Sequence, residues 1–412
     1  MAAATLDRHL KQKRPGSMKM PWEKDLSKTC EQAKTFEQGP IRPPSEAGSL
    51  LLRFTRNCPW NKCTFCPVYK GQEFSRRSLQ EIVGDIDAVA AIIQDLKELS
   101  FQLGQEGQVN ERVLNHVLTD SSFTAHQRTV AFWHATGKGT VFLQDANSLL
   151  LPTDTLVQAL EHLHAAVPGV RRVTSYARSS TLNRKSPEEM QRLRRAGLDR
   201  IHVGLESGSD TVLKMVRKGC TAEDHILGGK KVVEAGMSLS MYVMPGLGGR
   251  EWSREHAVET ARGINAVGPQ FIRLRSLRIP SRAPLHQEKN AGRFTPLTDD
   301  ETVQEIRLFI QSLEGIGSTL TSDHIMNLLE GVSGTFPQDK EKMLAVIDDY
   351  LALDDHDRLL FRLGRRGGAL QSVEDLKNAH MKKRLETARL ELERQTGRSI
   401  EQLIDEMADQ YI

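Results

Sequence analysis

Along the chain, short unbroken apolar runs alternate with longer stretches in which apolar residues return every three or four positions. The run "SLLLRFT" (Ser49 to Thr55) is the first candidate for a buried strand, and "SLQEIVGDIDAVAAIIQDLKELSFQL" after it has helical spacing, as does "ERVLNHVLTDSSFTAHQRTVAFWHAT". "GTVFLQDANSLLLPTDTLVQALEHLHAAVP" then reads as strand, turn and helix, with "PTDT" able to start the helix. The pair recurs in "VRRVTSYAR" with "SPEEMQRLRRAG", a helix stopped by Gly197, and again in "DRIHVGLESGSDTVLKMV", "EDHILGGKKVVEAGMSLSMYVMPGLGG" and "REHAVETARGINAVGPQFIRLRSL". Strands are expected at about 49–55, 140–144, 171–176, 200–205, 238–243 and 270–275, each separated from the next by helix.

That order predicts an α/β fold with parallel strands inside and helices outside. A closed barrel needs two further units, which the sequence after Ser276 does not offer, so the expected form is an open (β/α)6 partial barrel with a C-terminal helical appendage. The appendage is carried by "TDDETVQEIRLFIQSLEGI", "DKEKMLAVIDDYLAL", "SVEDLKNAHMKKRLETARLELERQTG" and "SIEQLIDEMADQY". Its face "KKRLETARLELER" fits a solvated helix laced with i,i+4 ion pairs. The opening of the chain, rich in Lys, Pro and Glu and running to "GPIRPPSEAG", has no sustained period. The expected organisation is an arm over 1–44, the barrel over 45–290 and the helical region over 291–412.

Composition adjusts this picture only at its edges. The 412 residues, 39% hydrophobic and 26% charged, can bury a sizeable core. A net charge of +3 is too mild to announce nucleic acid. No run approaches the ~18 apolar residues that span a bilayer, and "MAAATLDRHLKQKRPG" lacks the apolar region of a secretory signal, so no membrane and a cytoplasmic location are expected.

Chemistry enters with "RFTRNCPWNKCTFCPVYKG". Three of the five cysteines, Cys58, Cys63 and Cys66, fall within nine residues at the carboxyl end of the first strand, spaced C-x4-C-x2-C. That is a poor disulfide framework, and clustered thiols in a reducing compartment usually bind metal. A structural zinc knuckle wants a fourth ligand, and no histidine lies inside the loop. A plant-type [2Fe–2S] carrier has this spacing with a distant cysteine, here Cys220 or Cys30, but no need of alternating strands and helices. A [4Fe–4S] cluster on three thiolates leaves one iron open to a small molecule, at the strand ends where α/β barrels build active sites.

The loop "CPWNKCTFC", with an aromatic residue before its last cysteine, resembles that of radical S-adenosylmethionine (radical SAM) enzymes. "VFLQDANSLLLPTDTL", "RVTSYARSSTLNRKSPEEMQRLRRAGLDRIHVGLESGSDTVLKMVRKGCT" and "MYVMPGLGG" are similar, in order, to strand ends of the branch containing oxygen-independent coproporphyrinogen oxidases, the elongator catalytic subunit and tRNA methylthiotransferases. The resemblance covers about residues 45–290. It departs from the pattern at Pro59, Trp60, Asn61 and Lys62, four residues where the family most often has three, so the loop is expected to bulge. It departs again at Gln144-Asp145-Ala146-Asn147, where the family often has Gly-Gly-Glu.

What the resemblance implies is reductive chemistry. Cys58, Cys63 and Cys66 would hold a [4Fe–4S] cluster whose open iron binds S-adenosylmethionine. A low-potential donor of flavodoxin or ferredoxin type would supply the electron, and a 5′-deoxyadenosyl radical would take hydrogen from substrate. By the same resemblance, Phe65 lies against the adenine, Gln144 and Asp145 accept from the cofactor ammonium, and Ser175 and Arg178 point to the mouth. Glu206 is the acidic catalytic residue near the ribose or amino-acid end, and Gly246 in "VMPGLGG" brings backbone to the adenine. Simpler readings stand beside these: Phe65 as a plug, Glu206 in a salt bridge with a neighbour such as Arg178, Trp60 as packing and Cys220 as a plain thiol. Asp323 and His324 in "SDHIMNLL" either face substrate or open a helix. The tail shows neither a further cysteine cluster nor an acetyltransferase-like domain, so a small-molecule, RNA or peptide substrate is left open. The alternative function is electron transfer or regulation on the same barrel without catalysis.

Overall fold

A computed structural model describes residues 34–409. Cys30 and most of the expected N-terminal arm lie outside the described residues. The centre is one sheet in which β1 (Leu50–Arg53), β2 (Thr140–Gln144), β3 (Arg172–Ala177), β4 (Leu198–Glu206), β5 (Ser238–Val243), β6 (Phe271–Leu274), β7 (Thr319–Thr321) and β8 (Gly334–Thr335) lie in that order. β1 to β7 are parallel, and β8 turns back antiparallel on β7. The α/β class and the six expected strands hold. The sheet adds β7 and β8, which the sequence hides because "STLTS" carries a single strongly apolar residue and no run.

Register assigns each strand two faces. Val203, Met241, Ile272 and Leu320 form one row, and all are buried in the main core against the helices. The alternate residues form an inner face that is polar and aromatic: Tyr176, His202, Ser240 and Phe271 share a row, and Gly204, Tyr242, Arg273 and Thr321 the next. Ring centroids lie 5.7 Å apart for Tyr176–His202, 5.6 Å for His202–Tyr242 and 6.4 Å for Tyr176–Tyr242, so these side chains converge. Strands in a two-sided apolar core would not alternate this way.

The helices follow their sequence signals. Leu79–Gln102 starts at a capping box of Ser78 and Glu81 and buries Ile82, Ile86, Val89, Ile93 and Leu96, a stripe at three- and four-residue steps. Pro187–Arg195 has Pro at its first turn and a Ser186–Glu189 capping box, and the chain reverses at Gly197 with φ 99°. Lys340–Leu351 and Asp355–Arg366 send Ile347, Tyr350, Leu360 and Phe361 into the main core. Ala379–Thr396 buries Leu385 and carries an Arg389–Glu393 pair at 2.7 Å, the solvated face read from its charges.

The period-free stretch before β1 runs onto the inner face. The Gln144 side chain accepts from the Gly39 N–H (2.9 Å) and donates to Ile41 O (2.6 Å), satisfying backbone groups that no strand would pair. Glu46 is fully buried, accepts from Arg172 at 2.9 Å and lies 3.5 Å from His202 Nε2. Among the described residues no helix is long and apolar enough to cross a membrane.

Candidate active site

The cysteine loop leaves β1 and returns through a short antiparallel pairing of Thr55–Arg56 with Ser75–Arg76, which closes its neck. Two asparagines make its turns: Asn57 (φ 65°) and Asn61 (φ 45°) adopt the left-handed backbone that a short amide side chain tolerates. Asn57 Nδ2 donates to Glu73 O at 2.6 Å and Asn61 Nδ2 to Tyr69 O at 2.5 Å. Asn61 stands in the wide gap between the first two cysteines, so the extra residue is taken up as a local turn. Distant segments fix the loop from outside. The Thr64 N–H donates to Val216 O (3.0 Å), the Leu285 N–H to Thr64 O (2.9 Å) and Trp60 Nε1 to Arg217 O (2.7 Å).

Cys63 is buried, and Cys58 and Cys66 are half-buried. Burial pushes the Cys63 thiol up, while the charges of Lys218 and Arg178 pull it back. Burial likewise raises Cys66, opposed by the Val68 N–H and, more weakly, by Lys218. The thiols are near enough to act on one another's ionisation. Among the described residues no three His, Cys, Asp or Glu side chains gather on one metal-ion position. A multi-iron cluster with one thiolate per iron asks for a looser arrangement, and the cationic surroundings suit its negative charge.

Glu206 ends β4 at a register shift, with φ 65°, a conformation rare for a non-glycine residue and often found at functional sites. Its Oε1 lies 3.0 Å from Lys218 Nζ, both side chains being largely buried. Burial works to lower Lys218, yet the charges of Glu206, Cys63 and Cys220 outweigh it and the amine sits above its ordinary value. A Cβ at Gly204 would come 2.2 Å from Glu206 Oε1 and 3.1 Å from Lys218 Nζ, so glycine leaves the pair its room. The ion-pair partner of Glu206 is therefore Lys218, where the sequence suggested Arg178. Arg178 instead donates to Lys218 O at 2.8 Å and lies over the Trp60 ring, 5.2 Å from its centre.

The other expected residues divide. Phe65 packs among Met215, Leu277, Met244 and Leu285 beside the thiols, with Lys218 Nζ 5.8 Å from its ring centre. Gly246 adopts φ 87° in the turn after β5, its N–H donating to Glu305 Oε1 at 2.6 Å. Asp145 is fully buried: its Oδ2 accepts from Arg53 Nε (2.8 Å) and the Asn57 N–H (3.1 Å), and the Tyr69 phenol also bonds to its carboxyl. Burial raises the Asp145 carboxyl against the pull of Asn57 and Arg53. Gln144 is spent on the segment before β1, as described above. Ser175 shares its row with Leu143 and Ile201, facing the helices, so the sheet corrects its placement at the mouth; Tyr176 takes the inward position. A residue an odd number of steps from Arg178 cannot share its face along one regular strand.

Sequence reasoning missed Lys218, whose signal was a lysine just past the short helix Asp210–Met215 that follows "GLESGSD". Of the two readings of "SDHIMNLL", the helix start does not form: Ser322 to Leu329 is irregular and bends over the end of β6. Asn327 holds it there, accepting from the Ser276 N–H (2.9 Å) and donating to Leu274 O (2.8 Å).

Comparison with known proteins adds a resemblance to this geometry. Residues 123–261 match the model of the radical SAM superfamily, a span that begins after the cysteine loop and contains β2 to β5. Over 123 residues the chain is 22% identical to a tRNA uridine(34) acetyltransferase of Methanocaldococcus infernus, covering 29% of this chain and 23% of that relative. Similar solved structures include the Elp3 of the same organism with an N-terminal deletion (16% identity, TM-score 0.38, 52% of this chain and 53% of that one). Coproporphyrinogen III oxidase (HemN) from Escherichia coli is another, at 13% identity and TM-score 0.42, covering 64% of this chain and 52% of that one.

Proposed function

From a chain that carries a radical SAM domain, in a family that uses a [4Fe–4S] cluster and S-adenosylmethionine, we propose an enzyme that cleaves S-adenosylmethionine reductively and abstracts hydrogen from a substrate. The observation that supports it best is the placement of three mutually close thiols from one loop at the carboxyl end of β1, beside the buried Glu206–Lys218 pair. When bound, the cluster and cofactor supply one-electron cleavage of a carbon–sulfur bond and a 5′-deoxyadenosyl radical.

The chain's own residues do the rest. Cys58, Cys63 and Cys66 would hold the irons, and Lys218 and Arg178 offset the charge of the thiolates. Glu206 accepts from hydroxyl or ammonium donors on the cofactor, with Lys218 as its counter-ion 3.0 Å away. Phe65 offers a ring face, and the left-handed turn at Gly246 lets main chain approach the adenine. Segment 322–329 over the end of β6 helps exclude water. The electron comes from a low-potential donor of flavodoxin or ferredoxin type, and the reaction belongs to the cytoplasm.

The test is anaerobic reconstitution and chemical reduction followed by assay for 5′-deoxyadenosine. Formation that depends on each of the three cysteines is expected. An intact cluster that never yields 5′-deoxyadenosine would replace this reading with an electron-transfer protein.

A further inference from the structure

Two strands over from Glu206, the inner face ends in a guanidinium with nothing to hold. Arg275 directly follows β6 and shares parity with Phe271 and Arg273, and its N–H donates to Val243 O at 3.0 Å. Its charge is felt by the phenol of Tyr176 on β3, which puts it over the inner face and not behind the sheet. The other arginines of that face are engaged. Arg273 donates to Ser240 Oγ (3.1 Å) and lies 3.5 Å from Asp323; Arg172 binds Glu46 (2.9 Å), and Arg53 binds Asp145 (2.8 Å). Arg275 is exposed and has no side-chain hydrogen bond or ion pair among the described residues.

A second donor is carried by the segment tied to the same strand end through Leu274 and Ser276. His324 sits in the segment that Asn327 ties over β6, and its Nδ1 accepts from the Met326 N–H at 3.3 Å. A neutral ring with Nδ1 accepting carries its proton on Nε2. Burial and the Arg275 charge, against the pull of Asp323, hold His324 down at about 4, so the ring is neutral near pH 7. A planar guanidinium and an imidazole N–H without an acceptor complement an oxyanion, and the guanidinium can bind it bidentately.

We propose that Arg275 and His324 form an anion-binding subsite at the barrel mouth that takes a carboxylate or phosphate group of the substrate. This rests on the reading of the mouth as a radical SAM site. The anionic group is held on the β6 side, and the body of the substrate lies over Tyr176 and Tyr242 toward Glu206.

Phenylglyoxal modification of the full chain, prepared without oxygen and read residue by residue by mass spectrometry, tests it. Arg254, exposed on the helix Gly249–Val267 and without a side-chain partner among the described residues, is the internal control. Inorganic phosphate and succinate are the probes. At ten times its half-protecting concentration, the better probe is expected to slow modification of Arg275 about tenfold and leave Arg254 unchanged. Phosphate acting better assigns a phosphate group, succinate a carboxylate. His324→Phe is expected to raise the half-protecting concentration about fivefold, the loss of one hydrogen bond. Absence of protection at Arg275 by both probes overturns the subsite. Formation of 5′-deoxyadenosine in the same preparation separates the claims. Cleavage without protection removes the subsite alone, and protection without cleavage removes the radical SAM reading alone.

Discussion

Replacing Glu206 by glutamine keeps its shape and removes its charge, leaving Lys218 as a buried cation without its counter-ion. The atoms lie 3.0 Å apart, with side chains 14% and 11% exposed. At that distance and an effective dielectric of about 20, the lost attraction is about 5 kcal/mol. The loss has a ceiling, because Lys218 can release its proton: neutralising an ordinary lysine at pH 7.5 costs about 4 kcal/mol. Glu206→Gln is therefore expected to destabilise the cluster-free protein by about 3–4 kcal/mol. Adding Lys218→Met should restore most of it, since an uncharged pair of similar volume strands no ion. Urea unfolding of the wild type, both single variants and the double variant at pH 7.5, under reducing anaerobic conditions, gives the coupling directly. A coupling below about 0.5 kcal/mol would refute the reasoning, because it would mean that water screens the pair as at a surface.

Gly204→Ala is expected to push the Glu206–Lys218 pair apart and lower S-adenosylmethionine affinity more than tenfold with little change in circular dichroism, as measured by equilibrium dialysis on reconstituted protein. Alanine at Cys58, Cys63 or Cys66 should abolish bound iron and sulfide in a chemical assay, whereas Cys220→Ala, outside the loop and bonded to His225 at 3.2 Å, should retain both. Asp299 gives a pH signature. Burial works to raise its carboxyl, but Arg366 at 3.0 Å and Arg278 at 2.8 Å prevail and lower it. Its folded pKa lies below the unfolded value of about 3.9, so its stabilisation is complete above that pH and fades as pH falls through the folded value. The urea-midpoint gap between wild type and Asp299→Asn should accordingly be wide at pH 7 and narrow below pH 4.

Much of the site's frame was legible because its signals are local. The cysteine spacing is a property of one loop, and capping boxes at Ser78 and Ser186 announce their helices within four residues. The failures are equally specific. Ser175 and Tyr176 are neighbours in sequence on opposite faces, so one step of parity decides which reaches the mouth. Thr319–Thr321 is too short to show a period, and it becomes a strand because the exposed edge of β6 offers it a ladder. "SDHIMNLL" has a capping letter but no helix, since Asn327 spends its amide on the end of β6.

By itself the sequence determined the alternation of strands and helices, the thiol triad and its position at the end of the first strand, because apolar period and ligand spacing are set within a few residues. Only the tertiary structure decided that Lys218 is the counter-ion of Glu206, that the stretch before β1 runs onto the inner face and that Arg275 stands unpaired at the strand end to which the His324 segment is tied. Those facts depend on which strand ends curve toward one another, and charge pairing over a few ångströms is blind to distance along the chain.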